Sequence, residues 1–155
     1  MTITIRRWTS GAGAICKSIL DQLPEWFGQP ESNANYAQLA EHGPAWLAVA
    51  DGEAGAIMLL KPHFESAVEI YLLAVRPDRH RSGLGRALID RAEAFAAESD
   101  ARFLTVKTLG PSDPYEPYER TRAFYRAMGF VALEEFLELW GPENPTLFMA
   151  KALGR

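Results

Sequence analysis

A loop rich in arginine and glycine is the part of the sequence best suited to chemistry. It follows the apolar segment Val68–Val75 and leads into an amphipathic segment that begins at Gly83. The first turn of a helix offers backbone N–H groups without internal partners, and the helix dipole adds about half a positive charge there. Glycines at 83 and 85 let a phosphate approach the main chain. Countercharge is available from Arg79, Arg81 and Arg86. This pattern predicts a site for a pyrophosphate or a similar anion.

Two common nucleotide-binding motifs do not fit this loop. A P-loop needs Lys followed by Ser or Thr after its last glycine, and neither glycine here is followed by that pair. A Rossmann fingerprint needs a third small residue where Leu88 stands, and Gly11-Ala-Gly13 does not open a helix after a strand. The anion site therefore belongs to another class.

Glu69 is the only charged residue in the apolar segment Val68–Val75. Burial destabilises the charged form of a carboxylate, which makes Glu69 a candidate general base. An aliphatic amine, with a pKa of about 10.4, needs such a base because only its free lone pair attacks. An ordinary strand-end carboxylate, or an ion pair with an arginine, is the structural alternative.

Two segments resemble motifs of the GNAT superfamily of acetyl-CoA-dependent N-acetyltransferases. Motif A, Gln/Arg-x-x-Gly-x-Gly/Ala, reads His80-Arg81-Ser82-Gly83-Leu84-Gly85, with His in the first position. Motif B, A-x-x-F-Y-x-x-x-G-F, is matched by residues 121–130, with Thr121 in place of alanine and Tyr118 where an asparagine is common. The resemblance covers about residues 45–131 and implies acetyl-CoA as co-substrate, with no metal.

The resemblance also assigns roles to individual residues. It places the pyrophosphate on the amides of Ser82–Arg86 and the pantetheine arm along the main chain of the preceding strand. In the histone-acetylating branch, a glutamate at the register of Glu69 acts as base, and the tyrosine matching Tyr125 lies beside the sulfur. A phenol with a pKa near 10 can share a proton with a thiolate whose acid has a pKa of about 8.5. Tyr125 also lies on an apolar helical stripe, so the alternative is a core aromatic. The implied cofactor-binding residues are Leu73, Ala74, Val75, Arg79, His80, Arg81, Ser82, Gly83, Leu84, Gly85, Arg86, Tyr118 and Phe124.

Hydrophobic periodicity and turn residues predict a mixed α/β chain. The expected strands are Ile3–Trp8, Ala45–Ala50, Ala54–Pro62, Ala67–Val75, Phe103–Thr108, Phe130–Trp140 and Pro145–Ala152, and the expected helices are Gly11–Trp26, Ser32–Glu41, Gly83–Glu98 and Tyr118–Met128. Asp51-Gly52 predicts a hairpin turn, and Gly129 a helix C-cap. The resemblance implies one GNAT domain over residues 1–155. Its fold is a mixed, mostly antiparallel sheet of about six or seven strands, splayed into a V and flanked by about four helices.

Composition narrows the function classes. The chain has 155 residues, a net charge of −4 and one cysteine, Cys16, so it resembles a cytoplasmic protein that does not bind nucleic acid. No apolar run is long enough for a bilayer span, and the first residues lack the apolar core of a secretory signal. His42 and His63 are expected at the surface, and no spacing indicates a metal site. Exposed edge strands are compatible with a homodimer.

The sequence gives only electrostatic signals for the amine that accepts the acetyl group. Glu116, Glu119 and the acidic run Glu134–Glu143 favour a cationic small-molecule or protein amine. A different class of function is a binding module that holds acetyl-CoA as a regulatory or sensory ligand without turnover. A third, a toxin-like acetylase of charged tRNA, is disfavoured by the acidic composition.

Overall fold

The computed structural model describes residues 1–154, which form seven strands and four α-helices. The strands are β1 (Ile3–Trp8), β2 (Ala45–Ala50), β3 (Glu53–His63), β4 (Ala67–Val75), β5 (Phe103–Leu109), β6 (Val131–Phe136) and β7 (Thr146–Ala152). The helices are α1 (Gly13–Asp21), α2 (Pro30–His42), α3 (Leu84–Glu98) and α4 (Glu116–Ala127), and Pro77–Arg79 form a 3-10 turn. The strands are hydrogen-bonded in the order β1-β2-β3-β4-β5-β7-β6. β4 and β5 are parallel, while β1–β2, β2–β3, β5–β7 and β6–β7 are antiparallel. The predicted α/β class with a mixed sheet is confirmed.

The chain divides into two compact units. Unit 1 contains Met1–Leu60 and Tyr71–Ala92, and unit 2 contains Lys61–Ile70 and the residues from Glu93 onward. The arginine- and glycine-rich loop therefore belongs to unit 1. Glu69 and helix α4, which carries Tyr125, belong to unit 2.

The core of unit 1 is built from one face each of α1 and α2 and from β2, β3 and β4. Cys16 and Leu20 of α1 pack with Leu47 of β2, Ile57 of β3 and Leu72 of β4, all of them at most 3% exposed. The i, i+3, i+4 spacing on α1 produces this buried stripe. Burial also raises the pKa of the Cys16 thiol to about 11, which makes it an unreactive packing group.

The core of unit 2 centres on β5 and its antiparallel partner β7. Leu104 and Val106 of β5 are buried, as is Met149, which pairs with Val106 across the ladder. Gly129 ends α4 in the left-handed region, with φ 96°, as predicted for a C-cap glycine. The predicted turn at Asp51-Gly52 in unit 1 is also confirmed, since both residues have positive φ.

Several element ends differ from the sequence prediction. α1 ends at Asp21, not Trp26, because Pro24 disfavours helical backbone at Leu23. α2 and α4 begin earlier than predicted, at Pro30 and Glu116, since proline is tolerated in the first turn of a helix. β6 ends at Phe136, so its predicted extension to Trp140 is wrong.

The end of β6 has a physical reason. Phe136 pairs with Thr146, the first residue of β7, so the partner strand does not extend to residues 137–140, where Leu137, Leu139 and Trp140 are 59%, 54% and 46% exposed. Gly141, with φ 92°, then turns the chain toward β7.

Candidate active site

The start of α3 presents a row of backbone donors in unit 1. Arg81 and Gly83 have φ values of 62° and 92°, and these two left-handed residues turn the chain into the helix. The first helical hydrogen bond is donated by the Ala87 N–H to the Gly83 carbonyl, at 3.0 Å. The four amides of Gly83–Arg86 lie before that bond, where helix geometry leaves donors without intrahelical acceptors. The fully buried Leu84 side chain fixes this turn in the core.

Two residues predicted to hold the anion also form contacts within unit 1. The Ser82 N–H donates to the Arg79 carbonyl at 3.3 Å, and the Ser82 hydroxyl donates to the same oxygen. The Ser82 amide therefore already donates within the turn before α3, and its contact with a pyrophosphate stays a prediction. Arg79 Nη1 donates to Asp51 Oδ2 at 2.9 Å, so this guanidinium is paired. Arg81 and Arg86 are exposed and supply the accessible positive charge of the loop.

His80 also stabilises this loop, through two contacts. Its Nε2 lies 2.9 Å from the Val75 carbonyl oxygen, and its ring meets Trp26 edge-on, with centroids 5.6 Å apart. The Val75 carbonyl oxygen therefore already has His80 as a hydrogen-bond partner. The described ladder between β4 and β5 covers Ala67–Ile70, so Leu73 and Ala74 lie beyond it.

Gly55 on β3 allows the loop to lie against the strand. A Cβ added at Gly55 would be 2.7 Å from Leu84 Cδ1 and 3.2 Å from Arg79 Cγ, which leaves no space for a side chain. The Arg76 N–H donates to the Gly55 carbonyl at 2.9 Å. The Arg76 guanidinium binds Glu53 at 2.6 Å, and this hydrogen bond is the main reason that the pKa of Arg76 is raised. Sequence analysis missed Gly55 because nothing local distinguishes it from any other strand glycine.

Glu69 lies in a small polar cluster within unit 2. The residue is 5% exposed. Its Oε1 is 2.7 Å from His63 Nε2, and its Oε2 accepts from Lys107 Nζ at 3.1 Å. The expected burial of the carboxylate is observed, its partners are a histidine and a lysine and not the arginine of the structural alternative, and its role as base stays a prediction. His63, expected as a surface residue, has a side chain that is 40% exposed and directly contacts this carboxylate.

Tyr125 is held in an aromatic cluster on α4. Its ring meets Phe124 at 5.3 Å and Phe130 at 5.4 Å, both edge-on, and the residue is 5% exposed. Burial raises the pKa of Tyr125, and Tyr118 raises it further. The phenol therefore keeps its proton throughout the neutral range. Tyr125 is thus a packed aromatic with a protonated hydroxyl, and its role as general acid stays a prediction.

The sequence of this chain matches a known protein family. Residues 41–132, more than half of the chain, match the family model described as an acetyltransferase (GNAT) domain. The chain belongs to the GNAT acetyltransferase family. None of the curated proteins matches the sequence significantly.

Solved structures share the fold of this GNAT domain at low identity. A protein of the GNAT family from Desulfovibrio desulfuricans has a TM-score of 0.85 and 21% identity, over 99% of this chain and all of the other. A GNAT family acetyltransferase from Elizabethkingia anophelis, solved with acetyl-CoA bound, has a TM-score of 0.73 and 20% identity, over 97% and 98% of the two chains. An aminoglycoside 6'-N-acetyltransferase complexed with coenzyme A has a TM-score of 0.72 and 18% identity, over 98% of each chain.

The GNAT domain also contains polar contacts near α4 that the sequence did not predict. Arg122 is 4% exposed and its Nη1 donates to the Leu109 carbonyl at 2.6 Å. The Glu135 carboxylate accepts from the Ser112 amide at 2.8 Å and from its hydroxyl at 2.7 Å, and these bonds lower the pKa of Glu135. A Cβ at Gly110 would collide with the same carboxylate. Arg122 lies three residues before Tyr125, so the two side chains share one face of α4. This spacing is the signal in the sequence that indicates the burial of Arg122.

The described residues contain neither a helix that could span a membrane nor a metal-binding cluster. Among residues 1–154, no helix is long and apolar enough to cross a membrane. In the same part of the GNAT domain, no three His, Cys, Asp or Glu side chains form a group that could hold a metal ion.

Proposed function

We propose that this GNAT domain transfers the acetyl group of acetyl-CoA to a primary amine. The observation that carries the proposal is the start of α3, where four amides precede the first helical hydrogen bond beside the exposed Arg81 and Arg86. A helix start of this kind binds pyrophosphate oxygens through main-chain donors and the helix dipole. The acetyl-CoA and coenzyme A bound to two structural relatives support the same choice of co-substrate.

Binding of the rest of the coenzyme is assigned to the strand and to α4. The main chain of Leu73 and Ala74 is proposed to bind the pantetheine arm, since their groups lie beyond the β4–β5 ladder. A strand amide that also points at the thioester oxygen would stabilise the developing oxyanion, an effect worth about 2.7–4 kcal/mol. Tyr118 and Phe124 of α4 are the proposed aromatic contacts to the coenzyme.

The reaction is a direct attack of the amine nitrogen on the thioester carbonyl. A new C–N bond forms, the C–S bond breaks, and an ammonium substrate yields an amide, a thiol and one proton. Glu69, directly or through an intermediate group, drives removal of the nitrogen's proton. Tyr125 donates a hydrogen bond to the departing thiolate. Because burial raises its pKa, stabilisation through this hydrogen bond matters more than complete proton transfer.

Calorimetry followed by a turnover assay tests the proposal. Coenzyme A should bind to the purified protein, whereas ATP and NAD should bind weakly or not at all. Arg86→Ala should weaken coenzyme A binding, and Arg126→Ala, at an exposed position of α4, should not. Well-folded protein that gives no heat with coenzyme A would refute the proposed site.

An amine panel with thiol detection separates an enzyme from a non-catalytic acetyl-CoA sensor. Thiol release that depends on an added amine supports the transferase. Binding without release for any amine in the panel would support the sensor. A cationic amine is the proposed acceptor, because exposed Glu134 and Glu138 lie on and just after β6. We also propose a cytoplasmic location, supported by the single unpaired Cys16, and we keep a homodimer as a proposal for the exposed edge strand β6.

A further inference from the structure

The cluster around Glu69 contains a histidine to which neither the family match nor the motifs assign a role. His63, the last residue of β3, places Nε2 2.7 Å from Glu69 Oε1. Lys107 of β5 occupies the other carboxylate oxygen, at 3.1 Å. All three residues belong to unit 2. Their arrangement joins a buried carboxylate to a partly exposed imidazole.

The hydrogen bonds determine where the imidazole proton lies. Lys107 donates to Glu69, since an ammonium group has three donors and no acceptor. A carboxylate that pairs with an ammonium is ionised and can only accept. The short contact with His63 therefore needs a proton on Nε2. In the neutral ring this leaves Nδ1 bare, with its lone pair available.

Exposure separates the roles of the two groups. The Glu69 side chain is 7% exposed and both of its oxygens are engaged, whereas the His63 side chain is 40% exposed. A substrate amine can approach the imidazole without displacing Lys107. A buried carboxylate that accepts a histidine N–H fixes the tautomer of the ring and stabilises the imidazolium formed in the reaction.

We propose that His63 Nδ1 is the atom that accepts the amine's proton, and that Glu69 is the positioning residue behind it. This inference rests on the proposed acetyl transfer and names the intermediate group through which Glu69 acts. The proton moves from the substrate nitrogen to Nδ1 as the C–N bond forms, and the ring becomes an imidazolium held by Glu69. Water or buffer then takes the Nδ1 proton, which restores the neutral ring. Lys107 from β5 is the charged group seen to contact Glu69, and Glu65 follows His63 by two residues in the chain.

Comparison of His63→Gln with Glu69→Gln separates this mechanism from direct catalysis by the carboxylate. His63→Gln should lower kcat about 10²-fold or more and remove the acidic limb of the pH–rate profile. Glu69→Gln should also lower kcat but keep that limb, because the imidazole that accepts the proton is still present. Loss of the limb in Glu69→Gln together with its retention in His63→Gln would overturn the proposal. The control is His42→Gln at the exposed end of α2, which should retain wild-type rates.

Two further measurements keep the proposal falsifiable if a variant folds poorly. Added imidazole should restore part of the activity of His63→Ala, and a lack of rescue in a folded variant would overturn the role. Nitrogen NMR of the wild-type protein should show neutral His63 as the Nε2–H tautomer, with the preference lost in Glu69→Gln. A predominant Nδ1–H tautomer in the wild type would refute the arrangement. Wild-type protein inactive with every amine would instead refute the proposed function, and the NMR result would remain interpretable.

Discussion

Replacement of Tyr125 by phenylalanine is the sharpest test of the chemistry at the leaving group. The ring meets Phe124 and Phe130 at 5.3 and 5.4 Å and is 5% exposed, and phenylalanine keeps these contacts. The variant loses only the hydroxyl, so its free energy of unfolding should change by about 1 kcal/mol or less. The loss of one preorganised donor to a developing anion costs about 10²–10³-fold in kcat, or about 2.7–4 kcal/mol.

The pH dependence of this variant follows from the same structure. Because burial raises the pKa of Tyr125, the wild-type phenol remains a donor across the assay range. The ratio of wild-type to variant kcat should therefore be constant between about pH 6 and 9, with KM for acetyl-CoA changed by less than about twofold.

Initial rates of thiol release over this pH range, with thermal melts of both proteins, provide the measurement. Tyr115→Phe, at a residue that is 41% exposed, is the matched control and should behave like the wild type. Equal kcat for Tyr125→Phe and the wild type would remove the hydroxyl from the mechanism. A rise in KM with unchanged kcat would instead indicate that Tyr125 only contributes to binding.

Three further predictions concern packing and titration. Gly55→Ala should lower both the melting temperature and the affinity for coenzyme A, because the added methyl group displaces the loop before α3. Gly154→Ala, which has open space around it, should change neither. Equal coenzyme A titrations for the wild type and both variants would contradict this prediction. Burial raises the pKa of Cys16 to about 11. At pH 7 its thiol should therefore react with iodoacetamide at least about 100-fold more slowly in the native than in the denatured protein. Equal labelling of the native and denatured proteins in mass spectrometry would refute its burial. Hydrogen bonds from Ser112 lower the pKa of Glu135, so their stabilisation is present above the carboxyl's ordinary pKa and is lost as pH falls through the lowered one. The protection factor of the Ser112 amide, which is its exchange rate relative to the intrinsic rate at the same pH, should therefore fall in acid and, at neutral pH, in Glu135→Gln. An unchanged protection factor would exclude the contact.

Local sequence signals predict the elements of this fold well and their ends less well. β2 and β4 have the predicted bounds, because turn residues flank both apolar runs. α1 and β6 are shorter than predicted, since apolar residues continue beyond each element in segments that do not have its backbone geometry. The motifs located the turn before α3 correctly, because backbone conformation and glycine positions are local properties.

Long-range contacts account for most of what the sequence did not predict about the site. Asp51 pairs with Arg79 across 28 residues, and Lys107 reaches Glu69 across 38. No periodicity identifies such partners, because strand pairing brings them together. The roles of Glu69 and Tyr125 remain predictions, whereas their surroundings are now specific enough to test.

The loop before α3 is held in place by its own contacts, so a ligand would bind to a loop that is already ordered. Asp51, the Val75 carbonyl and the Glu53–Arg76 pair hold this segment through contacts that need no ligand. The loss of conformational entropy then occurs when the polypeptide folds, not when an anion arrives. Such preorganisation predicts association close to a simple bimolecular encounter, with no slow isomerisation of the loop in stopped-flow traces.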